Sequence, residues 1–80
     1  MSKINQALAR VVTRQRKIIN ISQEELAAIA GIHRTYVSQI ERGLKSPTLP
    51  VLFKIAAALN INASEIILEI EKDVHELQKQ

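Results

Sequence analysis

Gln23-Glu-Glu-Leu-Ala-Ala-Ile-Ala-Gly-Ile-His-Arg-Thr-Tyr-Val-Ser-Gln-Ile-Glu-Arg42 reads as two short helices joined by a tight turn. Counting Gln23 as the first position, a small Ala27 falls at the fifth and Gly31 at the ninth. Leu26, Ala30, Ile32, Val37 and Ile40 fill the remaining inward positions. Ala27 lets the two helices approach closely. A residue without Cβ takes the left-handed conformation without strain, so Gly31 lets the chain leave one helix and enter the next within a few residues.

Working outward, punctuation and periodicity predict three further helices, five in all, with no strand-like alternation. The first runs from about Ile4 to Ile18, with Ile4, Leu8, Val11 or Val12, and Ile18 on one face. Asn20 ends it, because Asn tolerates the left-handed conformation better than most residues. Ser22-Gln-Glu-Glu25 forms a capping box that opens the second helix, which lasts to Ala30. His33 caps the third, a weaker choice than Ser or Thr, with Arg34 to Arg42 as its body and Gly43 as its stop. Thr48 caps a fourth, whose first turn accepts Pro50; Val51 or Leu52, Ile55 and Leu59 face inward. Asn60 repeats the role of Asn20, and Asn62-Ala-Ser-Glu65 repeats the capping logic to open a C-terminal helix over residues 63–80.

Eighty residues make one domain, residues 1–80, near the size at which a single core is only marginally sufficient, so self-association is a live expectation. With no cysteine, disulfide frameworks, thiolate metal sites and cysteine nucleophiles are excluded. No apolar run is long enough to span a membrane and the first residues lack the core of a secretory signal, which points to a cytoplasmic protein. Residues 1–45 carry a net charge of +5 and residues 46–80 a net charge of −2. A basic front and an acidic back fit one end facing a polyanion; a plain solvated pattern fits equally well.

The C-terminal helix is longer than a single small core needs. Ile67, Ile70, Val74 and Leu77 follow a 3-4-3 spacing, an a/d seam over two heptads. Such a stripe covers the protein's own core or meets its copy on a second subunit. The core is expected to be closed by about Ile70, which favours the subunit and makes 63–80 a dimerisation element.

Ser22-Gln-Glu-Glu-Leu-Ala, Ala30-Gly-Ile, Arg34-Thr-Tyr-Val-Ser, Ile40-Glu-Arg-Gly43 and Ser46-Pro-Thr-Leu, in that order, resemble the XRE family of helix-turn-helix regulators, which includes Cro and the lambdoid phage repressors. The resemblance runs from roughly Ile4 to Leu68 and is nearest to the controller proteins of restriction-modification systems. Asn20 and Asn60 stand where Gly is common, and His33 where Ser or Thr is usual. The resemblance implies an all-α, five-helix, lambda-repressor-like domain with the helix-turn-helix at helices two and three. It also implies a homodimeric transcription regulator, repressor or activator, and an ion pair between Arg16 and Glu41 that locks helix three onto the domain. RNA polymerase is a partner where the regulator docks beside it. The alternative is an antitoxin-type protein that binds a toxin and regulates its own operon.

A major groove admits one helix, and side chains near its N-terminus reach base edges, here Arg34, Thr35, Ser38 and Gln39. Arg34 has the fork for guanine O6 and N7, and Gln39 the amide for adenine N6 and N7, each pair discriminating by about 1–3 kcal/mol. Thr35 offers a methyl to thymine, although Thr35 and Ser38 are short enough to reach only phosphate. Tyr36 either packs on a sugar or donates to phosphate, or it lies half-buried against helix four. Gln23 can direct its amide and the free N–H groups of its helix toward a phosphate. Lys17, Arg42 and Lys45 are further phosphate contacts, which orient without reading sequence. His33 and His75 lack a second ligand and the acidic pairs lack a base or nucleophile, so neither a metal, a cofactor, a small-molecule ligand nor an enzyme activity is expected.

Overall fold

The computed structural model describes the backbone of residues 2–79 and the side-chain surroundings of residues 2–76. Five helices follow one another: α1 Lys3–Ile18, α2 Gln23–Ala30, α3 Arg34–Glu41, α4 Leu49–Ala58 and α5 Ala63–Lys79. Three begin on a side-chain cap. Ser2, Ser22 and Thr48 accept from the backbone N–H of Asn5, Glu25 and Val51 at 2.9, 3.0 and 3.4 Å. At Ser22 the box is complete, since the Glu25 carboxylate reaches back to the Ser22 N–H at 2.9 Å. His33 caps α3 with its backbone alone. α3 ends one residue earlier than its pattern suggests, Arg42 being its cap.

The first four helices end in one device. Asn20, Gly31, Gly43 and Asn60 have φ of 58°, 70°, 74° and 62°. The N–H of the following residue bonds back five positions: Ile21 to Arg16, Ile32 to Ala27, Leu44 to Gln39 and Ile61 to Ala56, at 2.9–3.2 Å. This closure satisfies carbonyls that a helix end leaves open, and it swings an apolar residue back onto the body. Ile21, Ile32 and Ile61 pack against the core, whereas Leu44 stays exposed.

The core joins Ala7, Leu8, Val11 and Val12 of α1 to Leu26, Ala27 and Ala30 of α2, Val37 and Ile40 of α3, Leu52, Ile55 and Ala56 of α4, Leu59, and Ile66 and Ile70 of α5. Both Val11 and Val12 are inside, and Leu52 rather than Val51 is the buried member of its pair. Two expectations fail: Ile4 and Ile18 lie on the surface. Ile18 is left uncovered at the end of α1, and the Asn20 turn brings Ile21 against the core instead.

α5 packs on α1 more extensively than the seam alone suggests. Ile66 is fully buried, Ile70 is buried as well, and Val74 packs against the same cluster. A polar belt continues the contact. Gln15 Nε2 donates to Glu69 Oε2 at 2.9 Å, and Arg14 Nη2 stands 3.6 Å from both Glu69 Oε1 and Asp73 Oδ2. The core is therefore not closed by Ile70. Of the four seam residues, Ile67 points outward, and the Leu77 side chain lies outside the described residues.

Candidate nucleic-acid interface

α2 and α3 form one rigid unit because Leu26, Ala27 and Ala30 of the first and Val37 and Ile40 of the second are buried together. The periodicity that buries Val37 and Ile40 turns the intervening positions outward. Arg34 and Thr35 are exposed on the first turn of α3, with Ser38 and Gln39 half-exposed on the next. Arg42 caps the helix in solvent, and Lys45 and Lys17 are likewise exposed. Tyr36 lies half-buried against the core, with Lys45 Nζ 6.0 Å from its ring centroid. That is the outer limit of a cation–π contact.

Beneath this surface Arg16 clamps the last turn of α3. Its Nε donates to Glu41 Oε2 at 2.7 Å, its Nη2 to Glu41 Oε1 at 3.0 Å, and its Nη1 to the Ile21 carbonyl at 2.8 Å. Gln23 completes the arrangement by donating its amide to Glu41 Oε1 at 3.1 Å. One carboxylate thus ties together the end of α1, the start of α2 and the end of α3. Only 14% of the Arg16 side chain and 5% of the Glu41 side chain remain exposed. Burial alone would raise the Glu41 pKa. The hydrogen bonds from Arg16 and Gln23, the Arg16 charge and the Thr13 hydroxyl together outweigh it and hold the carboxyl below its ordinary value.

Gln23 therefore belongs to this network first, and of its two amide N–H groups one is left for another acceptor. The family resemblance implied the ion pair but not the Gln23 arm, which joins side chains 18 residues apart with no local signal. Sequence reasoning also missed a groove on the outer side of α1, lined by Ala9, Arg10, Thr13, Arg14, Lys17 and Glu41. Among the described residues no group of three or more His, Asp or Glu side chains is placed to hold a metal ion. No single helix there is long and apolar enough to cross a membrane.

A second surface lies away from α3. Leu49 and Phe53, one turn apart on α4, are 67% and 63% exposed, and Ile4 and Ile67, also exposed, lie beside Leu49. Ile4, Leu8, Leu49, Leu52, Ile67 and Ile70 line an apolar groove of about 210 Å³ between α1, α4 and α5.

The helix-turn-helix family model matches residues 13–66, from the second half of α1 into α5. The chain belongs to the helix-turn-helix family. Control protein C.SmaI of Serratia marcescens is 42% identical over 64 residues, 80% of this chain and 76% of that one. The restriction-modification controller C.AhdI of Aeromonas hydrophila superposes with a TM-score of 0.75 at 32% identity, covering 78% of this chain and 94% of the other. The controller C.Esp1396I, solved as a tetramer on its natural 35 base-pair operator, gives a TM-score of 0.83 at 26% identity, covering 92% and 97%. This helix-turn-helix protein is accordingly a transcription regulator of the XRE type, close to the restriction-modification controllers.

Proposed function

We propose that this regulator acts in the cytoplasm as a two-fold homodimer. Each α3 enters one of two successive major grooves, with half-site centres about 34 Å apart on a pseudo-palindromic operator. Arg34 and Gln39 make the bidentate base contacts, with Thr35 and Ser38 beside them. Lys17, Arg42, Lys45 and the remaining Gln23 N–H hold phosphates, and Tyr36 braces Lys45. The observation that carries this reading is the two-sidedness of α3, with Val37 and Ile40 sealed inside and Arg34 and Thr35 projecting from a helix fixed at its far end by Glu41.

The dimer face is the apolar surface of Leu49, Phe53, Ile67 and Ile4, with Ile70 and Val74 supporting it from the core rather than forming it. Covering what remains exposed of these side chains favours association, each by a fraction of the about 1.5–3 kcal/mol of a full burial and against the entropy cost of binding. The work of the protein is occupancy of DNA, not catalysis. Its similarity to C.SmaI and C.AhdI makes restriction and modification genes the proposed targets, with repression or activation set by where the operator lies. Footprinting on the fragment upstream of the protein's own gene tests the reading. A protected two-fold site supports it, and no protection on any upstream fragment at low salt refutes it.

A further inference from the structure

A shallow, open groove of about 390 Å³ runs along the outer side of α1, and its rim is basic. Ala9 and Thr13, one turn apart, give it a low floor. Arg10, Arg14 and Lys17, spaced by four and three, stand along its rim. Its one lining carboxylate is Glu41, whose charge is already taken up by two hydrogen bonds from Arg16 and one from Gln23. Arg14 is shared with Glu69 and Asp73 of α5, each at 3.6 Å. Arg10 and Lys17 make no ion pair with any carboxylate among the described residues. Two cations set about 10 Å apart along one helix, by the rise of 1.5 Å per residue, therefore face solvent across a concave floor.

What identifies the ligand is continuity. Glu41 lines the groove, forms the last turn of α3 and accepts from Gln23 at the first turn of α2, so the groove adjoins the surface on which the proposed phosphate contacts lie. Lys17 belongs to both. We propose that the α1 groove holds a backbone phosphate of the DNA flanking the half-site, with Arg10 as its principal cation. The regulator then grips duplex beyond the base pairs that α3 reads. This rests on the operator-binding reading above.

The test uses duplex recovered by site selection with the wild-type chain, trimmed in one form to the two half-sites and extended in the other by ten base pairs on each side. Fluorescence anisotropy over a salt series is run with the wild type and Arg10→Gln, whose thermal melts must agree. End effects favour a longer duplex for both proteins alike, so the variant-to-wild-type ratio is what is read. On the trimmed duplex the two should bind equally. On the extended duplex Arg10→Gln should bind roughly three- to tenfold more weakly, with a salt slope shallower by about 2 for one phosphate lost per subunit. Equal binding by the two proteins on the extended duplex overturns the proposal, as does the same loss on both duplexes. Failure of the wild type to bind either duplex overturns the operator reading itself, and the outcomes are thereby separable.

Discussion

Glu41→Ala should be the most damaging single change near the proposed DNA face, although Glu41 itself is not expected to touch DNA. Removing the carboxylate leaves Arg16 Nε and Nη2 and the Gln23 amide without their acceptor, while Arg16 keeps the Ile21 carbonyl. Breaking a buried pair by deleting one partner costs about 3–5 kcal/mol. The 14% of Arg16 still in contact with solvent lets part of that charge rehydrate, so we expect about 2–3 kcal/mol. In a domain of this size 1 kcal/mol moves Tm by about 4–8 °C, which places the melt of Glu41→Ala roughly 10–20 °C below wild type. The pH dependence fixes the cause. Because the folded-state pKa of Glu41 is depressed, its contribution is complete above the unfolded value of about 4.3 and is lost as pH falls through the lower folded value. The gap between wild type and Glu41→Gln should therefore be full at pH 6–7 and shrink below about pH 4. Thermal denaturation by circular dichroism across that range measures it. A Tm within about 2 °C of wild type at neutral pH, or a gap that widens in acid, would refute the assignment of the network as a clamp on α3.

Three further outcomes follow from the same geometry. Arg34→Ala should relax base preference at one operator position at a cost of about 1–3 kcal/mol, whereas Lys45→Ala should weaken all sequences alike and lower the salt slope; site selection with each variant separates the two. Ile67→Asp should yield a folded monomer, because Ile67 is 42% exposed, and Ile70→Asp should lose helical content outright, because Ile70 is only 9% exposed; sedimentation and circular dichroism on the pair check this, and a dimeric Ile67→Asp would move the interface elsewhere. Gly31→Ala should cost about 1–2 kcal/mol through backbone strain alone, since φ is +70° and no atom lies within 4 Å of an added Cβ; chemical denaturation measures the cost, and an unchanged midpoint would mean that the turn relaxes.

Where the sequence was legible, the signal was local. Ser22 and Glu25 specify a capping box within one turn, and Asn20, Gly31, Gly43 and Asn60 each mark a left-handed residue that only a few side chains tolerate. The inward face of α2 and α3 followed from period alone, because both helices are short and covered on one side. Misreadings arose where a neighbour decides the matter. Ile18 has the right spacing for the core but is left exposed at the end of α1, where Ile21 takes the inward place. Ile70 and Val74 fit a dimer seam by spacing, yet α1 is long enough to meet them first, with Gln15 and Glu69, 54 positions apart, fastening the contact. No pattern within a single helix encodes such a pairing. The α1 groove escaped notice for the same reason, since its wall at Glu41 comes from another helix.

The reassignment of α5 bears on how such a small regulator is held together. If Ile70 and Val74 formed only an intersubunit seam, the isolated chain would lose a substantial part of its contact between α1 and α5, and folding would depend on dimerisation. With Ile66 and Ile70 inside and Val74 packed on them, the protomer has its own closed core. In the proposed dimer, the exposed set at Ile4, Leu49, Phe53 and Ile67 would then set association separately. The separation matters for how such a regulator can be controlled. On the proposed two-half-site operator, a folded monomer in equilibrium with its dimer would convert protein concentration into occupancy, with a response steeper than that of a monomer binding alone. A protomer that unfolded on dissociation would instead be removed from the equilibrium. The contrast between Ile67→Asp and Ile70→Asp therefore tests more than the location of a face: it decides whether association can serve as the control variable of this protein.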